Sequence, residues 1–416
     1  MKKKFNKNII VFGFFIVFLI SGMCGNFFDE LVSNTAMAID ELKSGHYKKS
    51  LETFKNIDTI SSENLSFHDY LMDLNSVKDN LVNTRIVEKD SSTTIKSKTD
   101  SLIMSTNSFN KKYEQSDLTN VSNRIRKLKE HSEKVGADFC YVAAPEKGYY
   151  EVAPENINNY CKYNYDYFMK SLEANQINTI NLANDFKTKH LNPEELFFVT
   201  DAHWKPLSGF MANNSICEYL SKNNILDCDR KKADINNYQI NTYSKWFLGN
   251  IGKRVGTFFT WKGADDFDLI TPKFNTSFEE IKPYENSIKS GSFEETLLYM
   301  DRVNTKDYYG NDPYTCYCGG NHRLQIIKNN LNKEGKKILL IKDSFAFVVA
   351  PFLATQVSEL HIADTREELV SIYDKKVNWY DYIEEIKPDV VIVLYKGVPD
   401  RIMLDFEGNI IEEYAN

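Results

Sequence analysis

The apolar positions of this chain fall into two regimes. Between residues 28 and 135 they are spaced, with charges between them, as in LVSNTAMAIDELKSGHYKKSLETF and HDYLMDLNSVKDNLVNTRIV. That spacing predicts amphipathic helices. Ser, Thr and Lys cluster at 90–100 and predict a linker. Beyond about residue 110 the texture changes. VSNRIRKLKEHSEKVG predicts a helix that stops at Gly136, and ADFCYVAAP a short buried strand. NYDYFMKSLEANQ and KPLSGFMANNSICEYLSKN predict helices, INTINLA and LFFVT strands. After a less regular stretch at 230–320, HRLQIIKNNLNKEGKK predicts a helix. KILLIK, SELHIAD and DVVIVLY are β-branched apolar runs without alternation, as expected of strands covered on both faces. Strands alternating with helices predict an α/β fold, a parallel sheet flanked by helices.

The N-terminus adds a separate element. Four lysines in residues 2–7 precede the apolar run IIVFGFFIVFLI, and SGMCG carries it to residue 25. The run is barely long enough to span a bilayer. Ala36-Met37-Ala38 has the small-x-small form of a cleavage site but lies too far downstream, and Ser-Gly-Met before Cys24 is a poor lipoprotein signal. The expected organisation is therefore a cytoplasmic basic tail (1–8), a transmembrane signal-anchor (9–25), a helical spacer (26–110) and a catalytic domain (111–416). Lysines before the span place the rest outside the cell membrane.

Composition narrows the classes. The 416 residues are 42% hydrophobic and 26% charged, with a formal net charge of −7. No block of like charge predicts nucleic-acid binding. Seven scattered cysteines, an odd number, do not make a disulfide framework, although Cys217 and Cys228 are a possible pair. Cys316-x-Cys318 with His322 has a superficial look of metal ligation. It lacks the four ligands, or three plus water, of a zinc site, so no metal is expected.

Three polar groups follow predicted strands: Pro145-Glu146-Lys147, Asp201-Ala202-His203 and Lys342-Asp343-Ser344. Ligands of open α/β sheets bind outside the carboxyl ends of strands. In an extended backbone, residues i and i+2 face the same way, so Asp201 can orient His203 and leave the other ring nitrogen for a serine. Ser344 sits at a strand-to-helix turn, where backbone N–H groups can stabilise an oxyanion. The plainer alternatives are that Asp201 and Asp343 are helix caps and that His203 is structural.

FFVTDAHWKPLSG resembles the aspartate-x-histidine-tryptophan signature of the SGNH-hydrolase-like proteins of exopolysaccharide O-acetylation, among them the alginate acetylation and "DHHW" proteins. KKILLIKDSFAFVVAPFLA is similar to their serine block and YVAAPEKGYY to their Pro-x-Lys strand end. YCGGNH and FLGNIGKRVG resemble further blocks in the same order, so the likeness covers roughly 110–400. Ala202 stands where a second His occurs in some relatives. Lys342 stands where the ordinary hydrolases have Gly. The resemblance implies an SGNH-hydrolase-like fold with Ser344, His203 and Asp201 as catalytic residues. It offers Asn321 as an oxyanion donor, with a simple turn residue as the equal alternative. Lys147 and Arg254 are candidate substrate contacts beside the plainer reading as ion-pair or surface residues. Trp204 is read as packing at the strand end, with an indole face for stacking a sugar. Lys205 has no assigned role.

The expected activity is polysaccharide O-acetylation through an acyl-serine, without a cofactor. The resemblance implies a membrane-bound O-acyltransferase as acetyl donor and a polysaccharide acceptor. An acetyl esterase needs the same triad, and a non-catalytic scaffold for the acyltransferase is the rival from another class.

Overall fold

The structure is a computed structural model that describes residues 68–89, 92–366, 377–399 and 406–407, with isolated positions between 36 and 49. The expected anchor at 9–25 lies outside the described residues. No described helix is long and apolar enough to cross a membrane. The chain divides into two compact units, Met1–Leu81 and Val82–Asn416. Helix α1 (His68–Leu81) belongs to the first. All that follows concerns the second.

Its centre is an eight-stranded sheet in the order β5-β4-β13-β11-β12-β10-β8-β9. Five strands run parallel: β5 (Thr179–Asn181), β4 (Asp138–Ala144), β13 (Val390–Lys396), β11 (Lys337–Lys342) and β12 (Glu359–Asp364). They are covered on both faces, as their unbroken apolar runs require. Cys140, Val142, Ile338, Leu340, Ile392 and Leu394 enter one core; Phe139, Tyr141, Leu339, Ile341, Val391 and Val393 enter the other. Each fully buried aliphatic contributes about 1.5–3 kcal/mol.

The sheet is mixed rather than parallel throughout. β10 (Leu324–Asn329) pairs antiparallel with β12 and with β8 (Phe278–Lys282), and β9 (Ser287–Gly291) closes the edge antiparallel to β8. The stretch expected to be a helix from HRLQIIKNN is thus largely β10. Its apolar residues at a spacing of three misled because they serve opposite faces: Leu324 enters one core and Ile327 the other.

Helices cover both faces. α2 (Gln115–Lys134) buries Leu118, Val121, Ile125 and Leu128, one stripe at helical spacing. A reciprocal Glu114–Asp117 capping box opens it, and Gly136 at φ +89° turns the chain into β4. α3 (Cys161–Ala174) and α8 (Trp379–Ile386) lie on the same side. α5 (Pro206–Lys222) and α7 (Ala350–Ala354) bury Phe210, Ile216, Phe352 and Leu353 on the other.

Residues 92–104, expected to lie in a helical spacer and linker, are strands. β1 (Ile86–Lys89), β2 (Ser92–Lys96) and β3 (Leu102–Met104) form an antiparallel meander. Ile95, Leu102 and Ile103 are buried, Asp100 turns the β2–β3 link at φ +59°, and the Leu102 N–H donates to the Val199 carbonyl at 2.9 Å. The β-branched Thr93-Thr94-Ile95 explains the strand, and the polar residues beside it disguised it.

Candidate active site

LFFVT is not a strand. Phe197 and Trp204 form a single antiparallel bridge, and Lys205 N–H donates to the Leu196 carbonyl at 2.8 Å, closing residues 198–203 into a tight loop. Side chains supply what a neighbouring strand would. The Asp265 carboxylate, at the start of β7 (Asp265–Pro272), accepts from the N–H groups of Val199 (2.6 Å) and Thr200 (2.8 Å) and from the Thr200 hydroxyl (2.6 Å). The Lys147 ammonium donates to the carbonyls of Val199 (2.8 Å) and Asp201 (3.0 Å). Pro206 then starts α5 at its first position, where the missing N–H costs nothing.

The loop presents Asp201 and His203 side by side. Asp201 Oδ1 accepts from the His203 backbone N–H (2.8 Å) and from Nδ1 (2.5 Å); Oδ2 accepts from the Asn250 N–H (2.7 Å). Asn250 opens the short helix α6 (Asn250–Val255). Its approach depends on Gly249, where a Cβ would lie 2.2 Å from Asp201 Cβ. Burial pushes the Asp201 carboxyl up, but the imidazole charge, its hydrogen bond and the backbone donors outweigh that and hold it at about 2. The anchored carboxylate fixes the tautomer: Nδ1 carries the proton and Nε2 the lone pair.

The Ser344 hydroxyl donates to His203 Nε2 at 2.7 Å. Ser344 is the first residue of a 3₁₀ turn, Ser344–Val348, that follows β11. Asp343 caps the turn, accepting from the Phe345 N–H at 2.9 Å, and also accepts from the Lys396 N–H at 2.9 Å. So Asp343 is a cap, whereas Asp201 is not. The imidazole stacks on Tyr314 (centroids 4.4 Å apart, 22° between planes) and touches Phe345 at 5.2 Å. Its side chain keeps 16% exposure against 4% for Asp201, so the site opens at the imidazole and not at the acid.

The other sequence-derived candidates have different places. Trp204 is wholly buried; its indole N–H donates to the Phe345 carbonyl at 2.9 Å. It secures the serine turn and offers no face to a sugar. Lys147 is 4% exposed and spent on two carbonyls, so it holds the loop from within instead of meeting substrate. Burial lowers its ammonium to about 8, opposed by Asp265, Glu151 and Asp201. Arg254 is half-buried and donates to the Lys89 carbonyl, tying α6 to β1. Asn321 is exposed, its side-chain carbonyl accepting from Arg366; no described hydrogen bond joins it to Ser344. Cys316 and Cys318 are buried, and burial pushes the Cys316 thiol up to about 12. His322 Nδ1 pairs with Glu285 at 2.5 Å.

Sequence reasoning missed Asp265, Asn250 and Tyr314; for Asp343 the plainer alternative, a cap, is the one the structure shows. The glycines of FLGNIGKRVG were the available signal. Besides Gly249, Gly252 packs where a Cβ would lie 2.8 Å from Thr200 Cβ, and its N–H donates to the Thr200 carbonyl. For Tyr314 and Asp265 no local pattern existed.

A serine after a central strand and an aspartate-x-histidine loop, on an α/β sheet with helices on both faces, resemble the layout of SGNH hydrolase-like domains. Residues 102–244 match the family model of the SGNH hydrolase-like domain of the acetyltransferase AlgX, a span that holds Asp201 and His203 and ends before Ser344. Among solved structures, the chain is similar to Bacillus cereus PatB1, solved with a sulfonyl adduct (TM-score 0.61, 20% identity, 77% of this chain and 100% of that one). It is also similar to a DHHW family protein from Eubacterium siraeum (TM-score 0.54, 16% identity, 77% and 96%). At such identities the likeness is one of fold. No curated protein sequence matches the chain. The resemblance seen in the sequence motifs, to SGNH-like acetylation proteins, is borne out.

Proposed function

We propose that the protein O-acetylates an extracytoplasmic polysaccharide through an acetyl-Ser344 intermediate. The observation that carries this is the continuous chain from Asn250 N–H through Asp201 and His203 to the Ser344 hydroxyl, at 2.7, 2.5 and 2.7 Å. In the first half-reaction Ser344 Oγ adds to the acetyl carbonyl as His203 Nε2 takes its proton. The tetrahedral intermediate collapses, and the leaving group departs with that proton. In the second, a glycan hydroxyl loses its proton to His203, adds to the acyl carbonyl and expels Ser344 Oγ, which recovers the proton. Asp201 stays ionised and stabilises the imidazolium. The Ser344 N–H heads the turn, has no intrahelical acceptor and is our candidate for one oxyanion donor.

In this reading residues 9–25 anchor the chain in the cell membrane with the catalytic domain outside. The donor is a membrane-bound O-acyltransferase that hands over acetyl groups, and the acceptor is a cell-envelope or secreted glycan. The rival is an acetyl esterase, because the same triad serves water once water reaches the acyl-serine. The test is the intact protein given p-nitrophenyl acetate with and without an oligosaccharide. Acetylated sugar in the mass spectrum means transfer. Free acetate at every acceptor concentration means hydrolysis. If no Ser344-dependent acyl-enzyme forms with any activated acetyl donor, the protein is a scaffold and the proposal fails.

A further inference from the structure

Cys217 lies on the inner face of α5, and Ser221 follows it one turn later on the same face. The chain leaves the helix at Lys222 and doubles back through Asn224 at φ +57°, with Ile225 N–H on the Leu220 carbonyl at 2.9 Å. Ser221 Oγ then clamps the return: it donates to the Leu226 carbonyl and accepts from the Cys228 N–H, both at 3.1 Å. That lays Cys228 beside Cys217. Cys217 Sγ meets Asn213 Oδ1 at 3.9 Å, and Cys228 is the largest influence on its thiol, pushing it up. Both are buried, and both line a cavity of about 580 Å³ together with Ser221, Asp227 and Arg230.

We infer that Cys217 and Cys228 join as a disulfide, a covalent staple between the end of α5 and the segment leading to β6 (Tyr238–Phe247). Cys228, 7% exposed against 3% for Cys217, is the more accessible sulfur and the attacking group, the thiolate being the nucleophile. Its thiolate attacks one sulfur of a small disulfide such as oxidised glutathione, forming a mixed disulfide and releasing one glutathione thiolate. Cys217, deprotonated, then displaces the second glutathione. Two protein thiols are oxidised and one glutathione disulfide is reduced to two thiols, whose sulfurs take up the two protons the cysteines lose.

The staple's position gives it a purpose. α5 begins three residues after His203, and β6 runs on to Gly249 and Asn250, whose N–H holds Asp201. The cross-link shortens the free path between the two segments that meet at the acid, without touching the reacting groups. It is independent of the acyl chemistry; export supplies only the oxidising surroundings in which such a bond persists.

The test takes the full chain, refolded with reduced and oxidised glutathione, alkylated in denaturant without reductant and digested. The expected product is a linked peptide carrying Cys217 and Cys228, two mass units below the sum of its reduced halves. Adding a reductant should lower Tm on the order of 5 °C, as loop closure predicts for a short ring in a domain of this size. The double variant Cys217→Ser, Cys228→Ser should melt with reduced wild type and keep the p-nitrophenyl acetate turnover. Alkylation of both cysteines in oxidised wild type, or their linkage to any other cysteine, overturns the inference. That reading needs no variant to fold.

Discussion

Two buried carboxylates, one in the loop before α5 and one at the end of β12, are both held at about 2. Asp364, at the end of β12, is wholly buried. Burial raises it, and Lys342 (2.7 Å) and Arg366 (2.6 Å) outweigh burial. Asp201 is nearly as buried, but its partners are an imidazole and two backbone N–H groups. The difference is in what the partner can still do. Lys342 and Arg366 both donate to the Asp364 carboxylate and neither meets Ser344 by a described hydrogen bond, so that corner is an internal ion cluster. His203 has a second nitrogen, turned to the Ser344 hydroxyl, so the Asp201 corner can pass a proton. A strongly shifted carboxyl is therefore not in itself a sign of chemistry.

Removing the nucleophile tests the comparison hardest. Ser344→Ala should cut kcat for p-nitrophenyl acetate on the order of 10⁶-fold, as for other triads whose members act as a unit, with Tm nearly unchanged. The two acids should then separate. Asp201→Asn should lose about 10⁴-fold in kcat by selecting the wrong imidazole tautomer, with the fold intact. Asp364→Asn should instead leave the buried Lys342 and the half-buried Arg366 short of a partner and cost about 3–5 kcal/mol of stability, while the folded fraction still turns over. If Asp364→Asn matched Asp201→Asn in kcat at full stability, the distinction drawn here would be wrong.

Gly249→Ala drives a methyl into Asp201 and displaces the Asn250 donor. We expect about a 10²-fold loss in kcat, since small misplacements at a site cost that much. Equal kcat to wild type would show that the N–H anchor is dispensable.

Acid titration treats both carboxylates alike. Each sits at about 2 when folded against an ordinary value of 3.8. A depressed carboxyl stabilises the fold fully above its unfolded value and loses that contribution as pH falls towards its folded one. Each acid should therefore contribute about 2 kcal/mol at neutral pH that disappears between about pH 4 and 2. Denaturant unfolding from pH 6 to 2 measures it, and Asp201→Asn should flatten the slope. The smallest effect is expected of Trp204→Phe, which removes one buried N–H to the Phe345 carbonyl: about 1 kcal/mol in stability and a few-fold change in kcat.

The central strands were legible because burial on both faces forces unbroken β-branched runs, and few other environments do. Asp201, His203 and Ser344 were legible as candidates because each follows an apolar run, and the structure brings them within hydrogen-bond reach. The strands at 92–104 and Leu324–Asn329 were not. Their apolar residues are few, and spacings of three fit a helix until the neighbouring strands are known.

What the local sequence determined was the set of groups able to titrate and the i, i+2 spacing of Asp201 and His203; the loop that sets them side by side is held by the distant Asp265 and Lys147. Which groups face substrate and which are consumed inside was a tertiary decision. Lys147 is a cation after a strand by any local measure, and only the Val199 and Asp201 carbonyls, more than fifty residues away, make it an internal brace. Asn321 looks like an oxyanion donor until the fold leaves it exposed beside Arg366 with no described hydrogen bond to Ser344, and Trp204 like a sugar platform until the fold buries it. The reason is physical. A polar group's role depends on whether its valences are already satisfied, and the partners that satisfy them come from distant segments that the fold alone brings together.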